Sequence, residues 1–473
     1  MNNKHIALME SAPVHTSIIK LALPMMLGMI AQLVYNITDT FFIGQTGDPN
    51  MVAGISLTMP LFILSQGLGN IFGVGASSYI SRLLGARKGE RAKQTNAVSF
   101  YTTICVGLVF TALIFIFRGP ILRISGASDV TFVYADDYFS IIGAFTVFSL
   151  ISISLSGQIR AEGATNVAMY GMLIGIMLNV ILDPIFILVF GWGAAGAAWA
   201  TIIGGAASAL FLMLYTASKR SALSISFRDF KPDARIYAEI LKIGIPSAVS
   251  NVVMSFSAVF ANRIAASYGD FVVAGKGVAL RVESISFMLI MALAMGYQPF
   301  AGFNYGAGNY PRLRSGFKVT LLFSTALALF FTLVFAFFGK TLIGFFISDG
   351  ATVDAGWRFM YAFAMGLPVM GLQMTLMVTF QALGKPVLST IVSLGRQCIF
   401  YLPLLFILNY VWHFEGFMYS QPLADILTAL VAVLLGLKMF AGLKENSLKG
   451  SGDAGAAEWG VRGNERRIKN RSA

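Results

Sequence analysis

The sequence predicts an all-α membrane protein of twelve transmembrane helices, arranged as two pseudo-symmetric six-helix lobes in a parallel repeat. Composition is the first observation behind this. The 473 residues are 56% hydrophobic and only 12% charged, with mean hydropathy +0.74, whereas a soluble domain carries about twice that charge fraction. The second is length: apolar runs of roughly 20 residues recur from end to end, enough to cross about 30 Å of hydrocarbon as a helix. The third is self-similarity between the two halves.

Taken in order, the spans fall near 16–43, 51–81, 95–117, 132–157, 165–190, 194–217, 237–266, 272–300, 315–338, 357–381, 387–411 and 415–441. Strands do not fit, because the runs are too long and lack alternation. Residues 1–15 are a mixed polar N-terminus without the pattern of a cleavable signal peptide. Cys105 and Cys398 fall inside spans and suit small buried residues rather than a disulfide framework.

Charge placement sets the topology. Arg82, Arg87, Lys88, Arg91 and Lys93 crowd one loop, Lys219, Arg220, Arg228, Lys231 and Arg235 a second, and Arg312, Arg314 and Lys318 a third. The intervening loops are acidic or poor in Lys and Arg: Asp48; Asp129, Asp136 and Asp137; Asp349 and Asp354; Glu415. By the positive-inside rule the basic loops and both termini face the cytoplasm. This accounts for the net charge of +12 better than nucleic-acid binding does. A polar stretch over 218–236 separates a first lobe, 16–217, from a second, 237–441, and the Gly-rich basic tail over 442–473 has the composition of a disordered segment.

Sliding the chain against itself by about 220 residues aligns Pro24 with Pro246, Ala53-Gly54 with Ala274-Gly275, Gly85-Ala86 with Gly306-Ala307, Ser128-Asp129 with Ser348-Asp349, Gly163 with Gly384 and Pro184 with Pro403. Six spans per half is an even number, so both halves run the same way through the membrane, as parallel repeats do. Two such bundles enclose a midplane cavity and can rock against each other. At the aligned positions Asp39 meets Ala261, Asn179 meets Cys398 and Asp183 meets Leu402. The second half keeps the punctuation without the acids, so ion chemistry is expected in the first.

Asp39 and Asp183 lie in stretches that are otherwise almost wholly apolar. An ionised Asp at the bilayer centre costs roughly 2.5–3.5 kcal/mol on insertion scales, which marks such residues as candidates for function. Gln32, Tyr35, Asn36 and Asp39 share one helical face, as do Asn179 and Asp183. Should the first and fifth helices pack together, the two acids cannot both carry charge cheaply. They would share a proton or, with neighbouring amide and hydroxyl oxygens, hold Na⁺. Under the sodium alternative Asp39, Asn179 and Asp183 are the metal ligands. Pro184 should free the carbonyl of Val180, and Pro24 should permit a bend in the first span. Flexible methionines, Met59 and Met172 among them, suit a promiscuous apolar site. Arg281, Lys276 and Glu283 in the eighth span suit a structural or gating ion pair. No nucleophile–base pair or phosphate loop points to an enzyme.

These residues carry a resemblance to the multidrug and toxic compound extrusion (MATE) family. The segment GYQPFAGFNYGAGNYPRLR (296–314) resembles a signature of that family, supported by LALPMMLGMIAQLVYNITDTFFIG (21–44), SRLLGARKGERA (81–92), GKGVALRVESISF (275–287) and QIRAEGATNVAMYGMLIGIMLNVILDPIFI (158–187). The resemblance covers about 15–441 and implies two lobes forming a V with a central cavity. It also implies a secondary antiporter of the bacterial inner membrane that works as a monomer. In DinF-like members the coupling-ion site maps here onto Tyr35, Asp39, Asn179, Asp183 and Thr201. Candidate substrate contacts are Gln32, Tyr35, Asn36, Met59 and Met172. The acids of the NorM-like second lobe are absent, since Met254 and Val369 stand at the corresponding positions.

The expected function is therefore export of cationic or amphipathic small molecules in exchange for H⁺ or Na⁺ by alternating access, with membrane lipid as surroundings, no nucleic-acid partner and no cofactor. A lipid-linked or natural-product exporter of the same superfamily is the alternative, and an ion channel fits the two-bundle repeat less well.

Overall fold

The computed structural model describes residues 3–469, with side-chain surroundings for 5–443. All regular structure among the described residues is helical. A short helix α1 (Asn3–Glu10) precedes the first lobe, built from α2 (Val14–Gly44), α3 (Pro49–Ser56), α4 (Met59–Gly85), α5 (Gly89–Ile124), α6 (Asp129–Ala161), α7 (Thr165–Pro184) and α8 (Gly193–Ala217). The second lobe holds α9 (Ala234–Ser267), α10 (Asp270–Gly306), α11 (Tyr310–Gly344), α12 (Gly350–Ala382), α13 (Pro386–Leu394) and α14 (Tyr401–Lys469).

Among the described residues, eleven helical stretches are long and apolar enough to cross a membrane, and the last of them, Pro386–Leu443, is 58 residues long. It is interrupted at His413, whose φ of 50° and ψ of −128° are incompatible with helix. That break divides it into two crossings and brings the number to the twelve expected. The second expected span, 51–81, is two helices: Pro60 sits in the first turn of α4, where its missing N–H costs nothing, and the chain breaks just before it. Both cysteines are free and exposed rather than buried. The tail expected to be disordered lies, after residue 443, outside the described side chains.

The two lobes share a core at one end only. One buried cluster there takes Ile18, Leu21, Ile80 and Leu84 from the first lobe and Tyr297, Phe300, Phe303 and Phe380 from the second. At the opposite end each lobe has a core of its own, around Ile43, Tyr138 and Ile202 in the first and around Ala261, Phe359 and Phe417 in the second. The molecule is thus a V closed at the end that carries the basic loops.

Glycines make the closed seam possible. A Cβ on Gly85 would fall 1.9 Å from the Phe303 carbonyl oxygen, and one on Gly306 would fall 2.0 Å from that of Arg82. Arg82 and Phe303 are separated by the same interval as Gly85 and Gly306. The contact is therefore a pseudo-two-fold pair, which is the repeat expressed in packing. Across the same seam Arg82 pairs with Glu239 at 2.8 Å, and the Ser78 hydroxyl donates to the Gln381 carbonyl. Helix α1 lies over it: Arg312 donates to the carbonyls of Met9 (2.9 Å) and Ala12 (2.5 Å), while Met9 packs on Gly163 of the first lobe.

Candidate functional site

The polar face of α2 carries Gln32, Tyr35, Asn36 and Asp39, as 3.6 residues per turn requires. Another stripe of the same helix, Leu23, Leu27, Ile30, Val34, Ile37 and Phe41, is apolar and exposed, as a hydrocarbon-facing surface should be. Helix α7 packs on α2 with Met172 against Gly28. It also crosses α8 closely, because Gly175 and Gly204 each lie against the other's backbone. These two contacts bring residues far apart in the chain into one pocket of the first lobe.

There Asn179 (3% exposed) and Asp183 (0%) are buried. In the amide orientation that satisfies its neighbours, Asn179 Nδ2 donates to Asp183 Oδ2 at 2.8 Å. Its Oδ1 then accepts from the Thr201 N–H at 3.0 Å, with the Thr201 hydroxyl at 3.2 Å. Thr201 spends its own proton on the Ala197 carbonyl at 3.0 Å. The Asp39 carboxyl approaches that of Asp183 closely enough to interact directly, and Tyr35 approaches Thr201. One oxygen of each acid, Oδ1 of Asp39 and Oδ1 of Asp183, is buried without any hydrogen-bond partner. Buried polar atoms in folded proteins almost always have one, so this pair of oxygens is suited to receive a proton or a cation.

The structure adds one residue that the sequence reading did not single out. Tyr138 of α6 is 4% exposed, and its hydroxyl approaches Thr201 beside Tyr35, Asp39 and Asp183. The only signal in the sequence was a phenol about two turns into an apolar span, which is common in cores. The oxygens of two carboxylates, an amide, a threonine and two tyrosines make a hard-donor set. No three of His, Cys, Asp and Glu come together among the described residues.

The other candidates are placed as follows. Gln32 Nε2 donates to Asn36 Oδ1 at 3.1 Å on the exposed part of α2. Met172 is used in packing α7 on α2, and Met59 is 61% exposed at the start of α4. Pro24 lies buried within a helix that continues through it. After Pro184, which ends α7, the chain widens into a π-turn over Ile185–Val189; such turns are frequent at functional sites.

The second lobe differs from expectation in two ways. Arg281 and Glu283 form no ion pair, with Arg281 exposed, and Lys276 donates to Asn262 Oδ1 at 2.9 Å instead of pairing with Glu283. Two helical turns hold Lys276 and Glu283 too far apart to meet. Nor is this lobe stripped of buried acids: Asp425 of α14, 3% exposed, pairs with Arg396 at 2.7 Å beside Glu283. Comparing repeat-related positions missed Asp425, because it has no acidic counterpart there. The test applied to Asp39, an ionisable residue in an apolar run, would have found it.

Comparison with known proteins agrees with this architecture. The MatE family model matches twice, over residues 24–185 and 246–407, once in each lobe. The multidrug export protein MepA of Staphylococcus aureus (strain NCTC 8325 / PS 47) is 32% identical over 440 residues, covering 92% of this chain and 96% of that protein. A MATE transporter crystallised with MaL6 superposes with a TM-score of 0.89 at 26% identity, covering 93% of this chain and 99% of the other. An outward-facing multidrug resistance MATE transporter of the MOP superfamily gives the same score and identity over 94% and 100%. With its family model matched in both lobes over more than half of its length, the chain belongs to the MATE family of membrane transporters.

Proposed function

We propose that the protein is a multidrug antiporter that exports cationic or amphipathic small molecules in exchange for H⁺. The observation that carries this reading is the meeting of Asp39 and Asp183, each with a buried, unpartnered carboxylate oxygen. One proton held between the two acids satisfies both, and its arrival or departure changes how α2 sits on α7. The name of the S. aureus relative, a multidrug export protein, supports the cargo class.

Two facing carboxylates with buried, unpartnered Oδ1 atoms favour H⁺, because one proton can bridge them unaided, whereas Na⁺ would also have to recruit the amide and hydroxyl oxygens around them. By the positive-inside rule the closed, basic end faces the cytoplasm of a bacterial plasma membrane with both termini inside, so the V opens outward. One charge moved through about 100 mV supplies about 2.3 kcal/mol, enough for more than a tenfold concentration of cargo.

The test is efflux of a cationic dye from proteoliposomes under an imposed pH gradient, with and without sodium. Asp39→Asn and Asp183→Asn should each lower gradient-driven efflux at least tenfold while the protein stays folded and inserted. Efflux that persists in both variants overturns the reading, and efflux driven only by sodium overturns the choice of proton.

A further inference from the structure

The second lobe encloses a cavity of about 300 Å³, at the small end of the range that accepts drug-sized ligands. Its walls come from α9, α10, α12, α14 and the π-turn over Gly395–Ile399. Aromatic rings dominate the lining: Phe287, Phe359, Phe363, Tyr401 and Phe417. None of this belongs to the Asp39–Asp183 pocket, which lies wholly in the first lobe.

One face of α10 crosses this cavity, presenting Lys276, Leu280, Glu283, Ser284 and Phe287. The two charges on it are uncompensated. Lys276, 5% exposed, has only the Asn262 side-chain oxygen at 2.9 Å and the Phe417 ring at 5.8 Å, and no carboxylate within ion-pair distance among the described residues. Glu283, seven residues on, likewise has no cation within that distance. Arg396 stands near it but is engaged by Asp425 at 2.7 Å, and Gln421 also donates to Asp425 at 3.2 Å. At the Glu283 end one cation faces two carboxyl groups, and Glu283 is the acid left without a partner. At the Lys276 end the net charge is positive. Seven residues of helix separate the two ends by about 10 Å.

Unpaired charges buried in an apolar lobe are costly, and a ligand carrying the opposite charges at both ends relieves both costs together. We propose that this second-lobe cavity binds rigid aromatic zwitterions, with the ligand's carboxylate on Lys276 and its cationic nitrogen on Glu283. The Arg396–Asp425 pair walls the Glu283 end, and the rings clamp the aromatic body by stacking and cation–π contact. That such a ligand is then exported rests on the transport reading above; its binding at equilibrium does not.

The experiment measures fluorescence polarisation of two dyes with purified full-length protein in nanodiscs, without any gradient. Rhodamine 110 joins a carboxylate and a delocalised aminoxanthylium cation in one rigid body, and rhodamine 123 is its methyl ester, a cation only. Wild-type protein should bind the zwitterion at least tenfold more tightly than the ester. Lys276→Met should remove that preference by weakening the zwitterion and not the ester, and Lys276→Arg should restore it. Glu283→Gln should weaken both dyes. Equal affinity of wild-type protein for the two dyes, or a preference that survives Lys276→Met, overturns the proposal. Because no ion gradient is present, failure of proton coupling leaves these outcomes unmoved, and the two readings fail separately.

Discussion

Tyr138 shows how a site residue hides in a sequence. Its phenol joins Tyr35 at the Thr201 hydroxyl beside the paired acids, yet nothing in its own segment separates it from a core tyrosine. A phenol O–H beside the acids favours their ionised form by about 0.5–1.5 kcal/mol, the worth of one hydrogen bond. Tyr138→Phe should therefore raise apparent proton affinity about 2- to 10-fold without abolishing transport. The pH dependence of dye efflux in proteoliposomes measures this, and an unchanged profile removes Tyr138 from the site. Asp39 and Asp183, by contrast, were legible, because a carboxylate in an apolar run has few reasons to be there. Asp425 and Arg396 carried the same signal, but neither has a charged counterpart at the repeat-related position of the first lobe.

At the scale of elements, periodicity and run length located the helices, whereas their interruptions depended on local detail. The break before α4 follows from Pro60, and the π-turn after Pro184 from a proline that ends the regular bonding pattern. The closed seam depends on glycine in a different sense. At Gly306 any Cβ would lie 2.0 Å from the Arg82 backbone oxygen, and a backbone cannot yield as a flexible side chain does. Gly306→Val should force the lobes apart at the basic end and deplete the conformation described here. Spin-label distances across the seam would report a shift towards longer separations, and an unaltered distribution would show that the seam tolerates the added bulk.

For the whole molecule, loop charge sets an orientation that is independent of the coupling ion. In a background with Cys105 and Cys398 replaced by Ala, a cysteine at Arg228 should resist membrane-impermeant maleimide in intact cells. One at Asp129 should react. The opposite pattern would mean that the V opens inward. The two-lobe architecture was open to sequence reading because a bilayer imposes run length and loop charge on any chain that crosses it, and because the repeat left its prolines and glycines in register. Those features determined the class, the span count and the first-lobe acids. Only the tertiary structure decided that the V closes at its basic end and that Tyr138 completes the first-lobe pocket. It alone shows two unpaired charges facing one cavity in the second lobe. Such facts depend on which helix faces meet, and a sequence records the faces of each helix but not their neighbours.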